Sequence, residues 1–290
     1  MTTKNSQIKA IISPITQSDL GDVADFLHNH MNSRFSPSVW QQGISVSWLE
    51  STPNYGFMLK QGETLVGVLC AIYSEQSVND KLVKFCNPHS WCVLPEFRTR
   101  SVDLVLAVIR QPGYHFTMFS PNSSGIEIFG YLKFKPLNRE ISVMLNVPTP
   151  NFGKVDILTN LGDAENVLPS RAARYFNDHK RFKWLNFLIF GQQGNYGFLF
   201  FKGQKFKKLP CAQIMYISDM DLFAKCWAGL RTHLLIKHGM VTSRIESRFI
   251  KQQLGFTIMK EPGSQKFFLS NELKEDDIYN IYSELVALDL

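Results

Sequence analysis

A chain of 290 residues with 44% apolar and 19% charged side chains has material for one large core or two ordinary ones, at roughly 100–200 residues per domain. That balance excludes a disordered polyelectrolyte, and apolar runs such as FLFF and LVLAVI fall far short of the roughly 20 residues of a membrane-spanning helix. The net charge of +6 is uneven: residues 1–150 carry twelve Lys and Arg against eleven Asp and Glu, whereas 171–208 carry nine basic side chains against Asp178 alone. Such a field suits an anionic partner, or is a solvated basic face.

The N-terminal MTTKNSQIKA has no apolar core, so no secretory signal is expected. Five cysteines, an odd number without a Cys-x-x-Cys, point to a reducing cytoplasm rather than to disulfides or zinc. In chain order, QSDLGDVADFLHNHM reads as an amphipathic helix capped by Ser18 or Asp19, with Leu20, Val23, Phe26, Leu27 and Met31 on one face. His28 and His30 stand at i and i+2 on it, share no face, and are not a metal pair. SVWQQGISVSWLE is expected to be a second helix. The segment GFMLKQGETLVGVLCAIY reads as a β-hairpin turning at Gly62. A strand at 89–94, a helix at 101–110, a strand at 114–120, a helix at 123–132 and a strand at 141–145 follow.

Beyond a connection from Pro148 to about Leu168, GFLFFKGQKFKKLPCAQIMY reads as a hairpin turning at Gly203. Then come a strong helix ending at Gly239, the segment MVTSRIE, a short helix SRFIKQQL, strands FTIMK and KFFLS, and a closing helix EDDIYNIYSELVALDL. The alternation argues for two α/β or mixed α+β units. A repeat supports the pairing of halves: Asn54-Tyr55-Gly56-Phe57, Gly62 and Cys70-Ala71 recur as Asn195-Tyr196-Gly197-Phe198, Gly203 and Cys211-Ala212, all at an offset of 141.

The stretch WCVLPEFRTRSVDLVLAVI, residues 91–109, reads as strand, turn and helix with Arg98 and Arg100 in the turn. It is either an anion-binding turn without glycines or a polar corner. As an anion site, its backbone N–H groups at the helix start would be joined by the Thr99 and Ser101 hydroxyls and the two guanidinium groups. Asn122 lies in SPNSSG, a cluster that also suits a plain helix cap. His89 and His115 are candidates for a general base near neutral pH, against the ordinary structural role of a strand histidine. Cys92 beside Trp91 suits packing better than thiolate chemistry. No G-x-S-x-G, Walker loop, G-x-G-x-x-G or H-E-x-x-H occurs.

Val93, Pro95, Arg98, Thr99, Ser101, Val102, Asp103 and Leu106, followed in register by Asn122, Gly125, Ile128, Phe129, Lys133 and Phe134, resemble the motifs of the GNAT acyl-CoA N-acyltransferases. The segment ISPITQSDLGDVADFL resembles that family's first strand and helix. The resemblance implies an α/β fold of two tandem GNAT-like units, each a mixed, mostly antiparallel sheet flanked by helices. They would be an acyl-CoA-binding domain at 1–147, a linker at 148–169, and a degenerate second domain at 170–290 that contributes to the acceptor site. It implies a coenzyme A thioester as co-substrate and no metal. Trp91, Val93, Arg98, Thr99, Arg100, Ser101, Val102, Asn122 and Phe129 would surround the thioester, with a backbone oxyanion donor in the Trp91–Val93 region around Cys92. The chain departs from the family at Phe129, where a tyrosine usually protonates the leaving thiolate. The second half keeps Gly255-Phe256, puts Lys251 at the tyrosine position and has no match to Val93–Arg98.

The basic, aromatic RAARYFNDHKRFKWLNF supplies Lys180, Arg181 and Lys183 for phosphates and Trp184 for stacking on a base. The resemblance extends to bacterial acyltransferases of nucleotide-linked amino sugars, such as dTDP-3-amino-3,6-dideoxyhexoses, for surface polysaccharide. It implies an amine acceptor in the cleft between halves and an acetyl or short hydroxyacyl donor. Another small amine, a peptide, or a non-catalytic coenzyme A-binding module are the alternatives. A nucleic-acid partner is not expected because no recognised module is present, and the pseudo-duplication suits a monomer.

Overall fold

The computed structural model describes residues 9–79, 81–149, 155–160, 162, 166–192 and 194–289; part of the expected 148–169 linker therefore lies outside the described residues. The first half runs β1 (Ile11–Pro14), α1 (Leu20–His30), α2 (Pro37–Ile44), β2 (Gly56–Gln61), β3 (Thr64–Val78), β4 (Lys81–Val93), a 3-10 turn at Pro95–Arg100, α3 (Ser101–Ile109), β5 (His115–Met118), α4 (Ser123–Tyr131), β6 (Lys135–Pro136) and β7 (Glu140–Leu145). The second runs β8 (Asp156–Leu158), α5 (Ser170–His179), β9 (Asn186–Gln192), β10 (Asn195–Phe206), β11 (Leu209–Ile217), α6 (Met220–His238), β12 (Thr242–Glu246), β13 (Thr257–Pro262), β14 (Phe267–Leu269) and α7 (Glu284–Ala287).

Two seven-stranded mixed sheets result, in the orders β1-β2-β3-β4-β5-β14-β6 and β8-β9-β10-β11-β12-β7-β13. Position by position their polarities agree. Each has a single parallel pair, β4 with β5 and β11 with β12, among antiparallel neighbours. The sixth position breaks sequence order: β7 pairs with β12 and β13, and β14 pairs with β5 and β6. The compact units are accordingly 1–137 with 265–278 and 282–290, and 138–264 with 279–281. Strands 141–145 and KFFLS thus belong to the sheet of the other half from the one their chain position suggests.

Local sequence explains the helices. In α1 the buried Leu20, Val23, Ala24, Phe26 and Leu27 recur at helical spacing, while Met31, expected on that face, is 48% exposed just past the helix end. Asp19 caps the preceding turn, its Oδ2 accepting from the Thr16 N–H and hydroxyl. α6 starts at Asp219, whose Oδ1 accepts from Leu222 N–H at 2.8 Å, and stops at Gly239 in the left-handed region (φ +66°). In the first unit α3 and α4 cover one face of the sheet through Leu104, Val105, Val108 and Phe129, and α1 and α2 cover the other.

The 141-residue match does not align equivalent elements. Gly62 is in the β2–β3 turn (φ +58°), but Gly203 lies inside β10, paired with Ala212. The β10–β11 turn is at Lys207-Lys208, both at positive φ (47° and 70°), as a two-residue hairpin turn requires. By topology, β2–β3 corresponds to β9–β10, so the sequence match is one strand out of step.

Two expected helices are also absent. SRFIKQQL makes only a 3-10 turn at Ser247–Phe249 before Ile250 turns extended (φ −93°, ψ 102°). The closing helix is reduced to a 3-10 turn at Glu275–Asp277 and the four residues of α7. Between these, Asn280 and Ile281 are committed to buried hydrogen bonds with Glu246 and His179, which overrides helical propensity.

Candidate active site

β4 and β5 pair in parallel at only two positions, Phe85 with His115 and Cys86 with Phe116. Beyond them the strands part. Asn87 bridges the opening gap: its Nδ2 donates to the Thr117 carbonyl at 3.1 Å and to Thr117 Oγ1 at 3.2 Å. Past Asn87, a cavity of about 100 Å³ opens, lined from β4 by His89, Ser90 and Trp91 and from the other side by Met118, Ser120, Asn122 and Phe129 among others.

A bulge shapes the β4 wall. Val68 faces Cys92 and Cys70 faces His89, so Ser90 and Trp91 together oppose Leu69 alone. Ser90 adopts φ +50°, a conformation that a non-glycine residue holds only where its surroundings enforce it. The bulge takes Ser90 and Trp91 out of the β3 ladder and turns this part of β4 toward the gap.

Two polar atoms of this wall are buried without a hydrogen-bond partner, His89 Nε2 and Trp91 Nε1. Leaving a buried polar group unpaired costs about 1–3 kcal/mol, so the β4 wall holds two nitrogens, the indole donor of Trp91 and one imidazole nitrogen of His89, whose bonds a ligand could complete. His89 Nδ1 lies 3.0 Å from Ser90 Oγ. Burial pushes the His89 imidazole down to about 3, so it is neutral at physiological pH. This corrects the expectation of a near-neutral base there. His115 does not share the cavity; it stands at the far end of β5 in a separate, wider groove with Glu75, Lys84 and Glu272. Its imidazole is lowered by partial burial, opposed by Glu272.

The other wall rests on α4. Asn122 caps that helix, its Oδ1 accepting from Gly125 N–H at 2.8 Å, and lines the cavity as well. Phe129 is fully buried, with ring centroids 6.0 Å from Trp91 and 5.1 Å from Phe134. Cys92 is half-buried, its Sγ directed at the His30 carbonyl (3.6 Å), and burial raises its thiol, so it is no thiolate nucleophile.

The arginine turn is tighter than an open anion cradle. Phe97 N–H donates to Leu94 O, and Ser101 N–H to Arg98 O. Arg100 is tied down, Nε to the Asp103 carboxylate and Nη1 to the Ala10 carbonyl at 3.1 Å. Arg98 and Thr99 are exposed, Ser101 and Val102 half-buried at the start of α3, and Val93 half-buried over Gly67. In the second unit Lys180, Arg181 and Lys183 are exposed on the turn after α5; Trp184 is half-buried, 5.6 Å from Phe182.

Three residues at or behind the cavity have no counterpart in the sequence motifs: Ser120, which lines it, and Asn87 and Glu284 behind it. Glu284 is 1% exposed, its Oε1 accepts from Ser120 Oγ at 2.6 Å, its N–H donates to Asn87 Oδ1 at 3.0 Å, and its Oε2 has no partner. The available signal was a lone carboxylate inside the apolar run IYSELVAL.

The corresponding gap of the second sheet is filled by the chain itself. Beyond the β11–β12 pairing, Tyr216 packs on Tyr279 (5.6 Å), which stacks on Phe249 (5.5 Å), and Glu246 holds both Arg248 and Asn280 at 2.7 Å. Among the described residues no cluster of three or more His, Cys, Asp or Glu is arranged to hold a metal ion, and no helix is long and apolar enough to cross a membrane.

No protein-family model and no curated protein matches the sequence. The fold does match solved structures. A GCN5-related N-acetyltransferase from Anabaena variabilis superposes with a TM-score of 0.57 at 9% identity, covering 90% of this chain and 72% of that one. A GCN5-related N-acetyltransferase from Kribbella flavida gives 0.55 at 12%, covering 90% and 71%. Saccharomyces cerevisiae N-myristoyltransferase, solved with bound myristoyl-CoA and inhibitors, gives 0.50 at 12%, covering 98% and 87%. The chain thus has the fold of the GCN5-related N-acetyltransferases.

Proposed function

We propose that this protein is an acyl-CoA-dependent N-acyltransferase whose thioester end enters the cavity at the Ser90–Trp91 bulge. The observation that carries this reading is the cavity formed where two parallel strands part, lined by His89 and Trp91, each of which keeps a buried ring nitrogen without a partner. The indole N–H offers a fixed donor to the carbonyl oxygen as negative charge develops on it, in surroundings that exclude water. His89, neutral and held by Ser90, offers a second contact in place of proton abstraction. Asn122 and Phe129 close the opposite wall. The exposed Arg98 and Thr99 at the head of α3 receive the pyrophosphate, with Arg100 shaping the turn through Asp103 and Ala10.

Phe129 removes the usual phenolic acid. A thiol of ordinary pKa, about 8.5, leaves tolerably as thiolate near neutral pH, so transfer to a neutral amine held about 3–3.5 Å from the carbonyl carbon does not require it. Thiol release from acetyl-CoA with a panel of amines tests the activity, and calorimetry with coenzyme A tests the site. Binding without any transfer would favour a non-catalytic module.

For the acceptor, we infer a nucleotide-linked amino sugar of the dTDP-3-amino-3,6-dideoxyhexose type. Support comes from the exposed cations Lys180, Arg181 and Lys183 beside the half-buried Trp184, a combination that suits phosphates and a base. Reversing those three charges should raise the acceptor KM; an unchanged KM would leave other small amines or peptides as acceptors.

A further inference from the structure

Transfer to an amine releases a proton, and the groups first suited to take it do not. His89 is held neutral and reluctant by burial, and His115 lies in another groove. We propose that Ser120 and Glu284 form the proton-accepting relay of the first unit, with Ser120 as the contact group in the cavity and Glu284 as the buried acceptor behind it. This inference rests on the acyl-CoA reading of the same cavity.

Geometry carries it. Ser120 lines the cavity and donates to Glu284 Oε1 at 2.6 Å, the short distance of a hydroxyl–carboxyl bond. The Ser120 oxygen keeps lone-pair capacity for an incoming donor. Glu284 is 1% exposed and its Oε2 has no hydrogen-bond partner. A carboxyl buried with one oxygen unsatisfied is a costly arrangement for a purely structural residue. Asn87 fixes its backbone, accepting the Glu284 N–H while donating across the gap to Thr117. The same asparagine therefore sets both the opening between the strands and the acceptor's position.

The electrostatics agree. Burial raises the Glu284 carboxyl above the usual carboxylate range; the hydrogen bond from Ser120, that of its own backbone, the charge of Lys266 and the side chain of Asn87 oppose that rise. Among the described residues, the one charged group acting on it is Lys266. A raised carboxyl is closer in proton affinity to the amine it must relieve, which is the condition for effective general-base action.

The step balances. The amine nitrogen bonds to the thioester carbon, the C–S bond breaks, and its electron pair leaves on sulfur as thiolate. The surplus proton on nitrogen passes to Ser120 Oγ as the hydroxyl's own proton moves to Glu284 Oε1. The carboxylic acid then returns its proton to solvent or to the departing thiolate, giving amide and thiol.

Wild type, Ser120→Ala and Glu284→Gln are compared by thiol release from acetyl-CoA with ethylamine across the neutral pH range, with coenzyme A binding followed by calorimetry. Each variant should lose about 100-fold in kcat at an unchanged acetyl-CoA KM, and the acidic limb of the wild-type pH profile should vanish in Glu284→Gln. A lowered profile of unchanged shape, or an unchanged kcat, overturns the relay. Absence of coenzyme A binding to wild type refutes the acyl-CoA reading itself, and the relay with it. If Glu284→Gln does not fold, Ser120→Ala carries the kinetic comparison. If wild type binds coenzyme A but does not turn ethylamine over, infrared titration decides. A protonated-carboxyl band that titrates in wild type and shifts in Ser120→Ala supports the pair, and its absence overturns it.

Discussion

Asn87 and Thr117 hold the two parting strands at a fixed separation, the amide of one donating to both the carbonyl and the hydroxyl of the other at 3.1 and 3.2 Å. Both residues are buried, so the bonds have no competition from solvent. Asn87→Leu should therefore cost about 3 kcal/mol, since the Glu284 N–H and the Thr117 hydroxyl lose their partner together. Denaturant unfolding measures the loss. The same variant should lower turnover more than coenzyme A affinity, because the exposed end of the site at Arg98 is untouched.

The two arginines of the turn should separate cleanly. Arg98 is exposed, so Arg98→Ala should weaken coenzyme A binding, more strongly at low salt, with little change in stability. Arg100 is committed to Asp103 and the Ala10 carbonyl, so Arg100→Ala should instead cost about 1 kcal/mol of stability, discounted for its partial exposure. Calorimetry and thermal melting of both variants check the division of labour.

Phe129→Tyr puts in the phenol that the motif it resembles carries, yet it should not rescue anything. The ring is packed among Trp91, Phe134 and Phe267, so an added hydroxyl should cost about 1–2 kcal/mol. With a thiolate leaving group tolerable near neutral pH, kcat there should stay within about twofold. A large rise in kcat would mean that thiolate protonation limits the proposed transfer.

His89 makes a pH signature. Its imidazole is near 3 in the fold against about 6.5 in the unfolded chain, so the unfolded state binds the proton first as pH falls. The stabilisation is complete above about pH 6.5 and is lost toward pH 3, amounting to about 3 kcal/mol by pH 4. Comparing the stability of wild type and His89→Leu from neutral to acid pH should show the wild type losing this increment and the variant not.

Cutting the chain at the expected boundary should fail. Fragment 1–147 lacks β14, the strand between β5 and β6, and with it the buried Phe267 and Phe268. Each buried phenylalanine is worth about 1.5–3 kcal/mol, so the fragment should melt without a cooperative transition. A peptide spanning 264–290, added in trans, should restore one.

What the sequence disclosed followed from local rules. Apolar spacing located α1, the Asp219 and Gly239 signals bounded α6, and Asn122 and Gly125 lie at the start of α4, where they line the cavity. What it concealed depended on long-range pairing. The bulge at Ser90 is a two-against-one register that only β3 reveals. Arg100 is neutralised by Asp103 three residues away, a partner visible in sequence, and by Ala10, ninety residues away, which is not. Glu284 stands 164 residues from Ser120, inside what read as a continuous helix. The NYGF repeat misled because a shared tetrapeptide says nothing of which strand in a meander it starts.

Strand exchange also sets an order of events on the ribosome. The N-terminal half emerges first, yet its sheet waits for Phe267–Leu269, and its buried carboxylate arrives later still with Glu284. Until then β5 leaves the exit tunnel as an edge with Phe116 and Met118 uncovered, a surface that aggregates or recruits a chaperone. Vectorial synthesis thus delivers every residue that lines the cavity before β14, the strand that completes their sheet, and before Glu284, the carboxylate behind it.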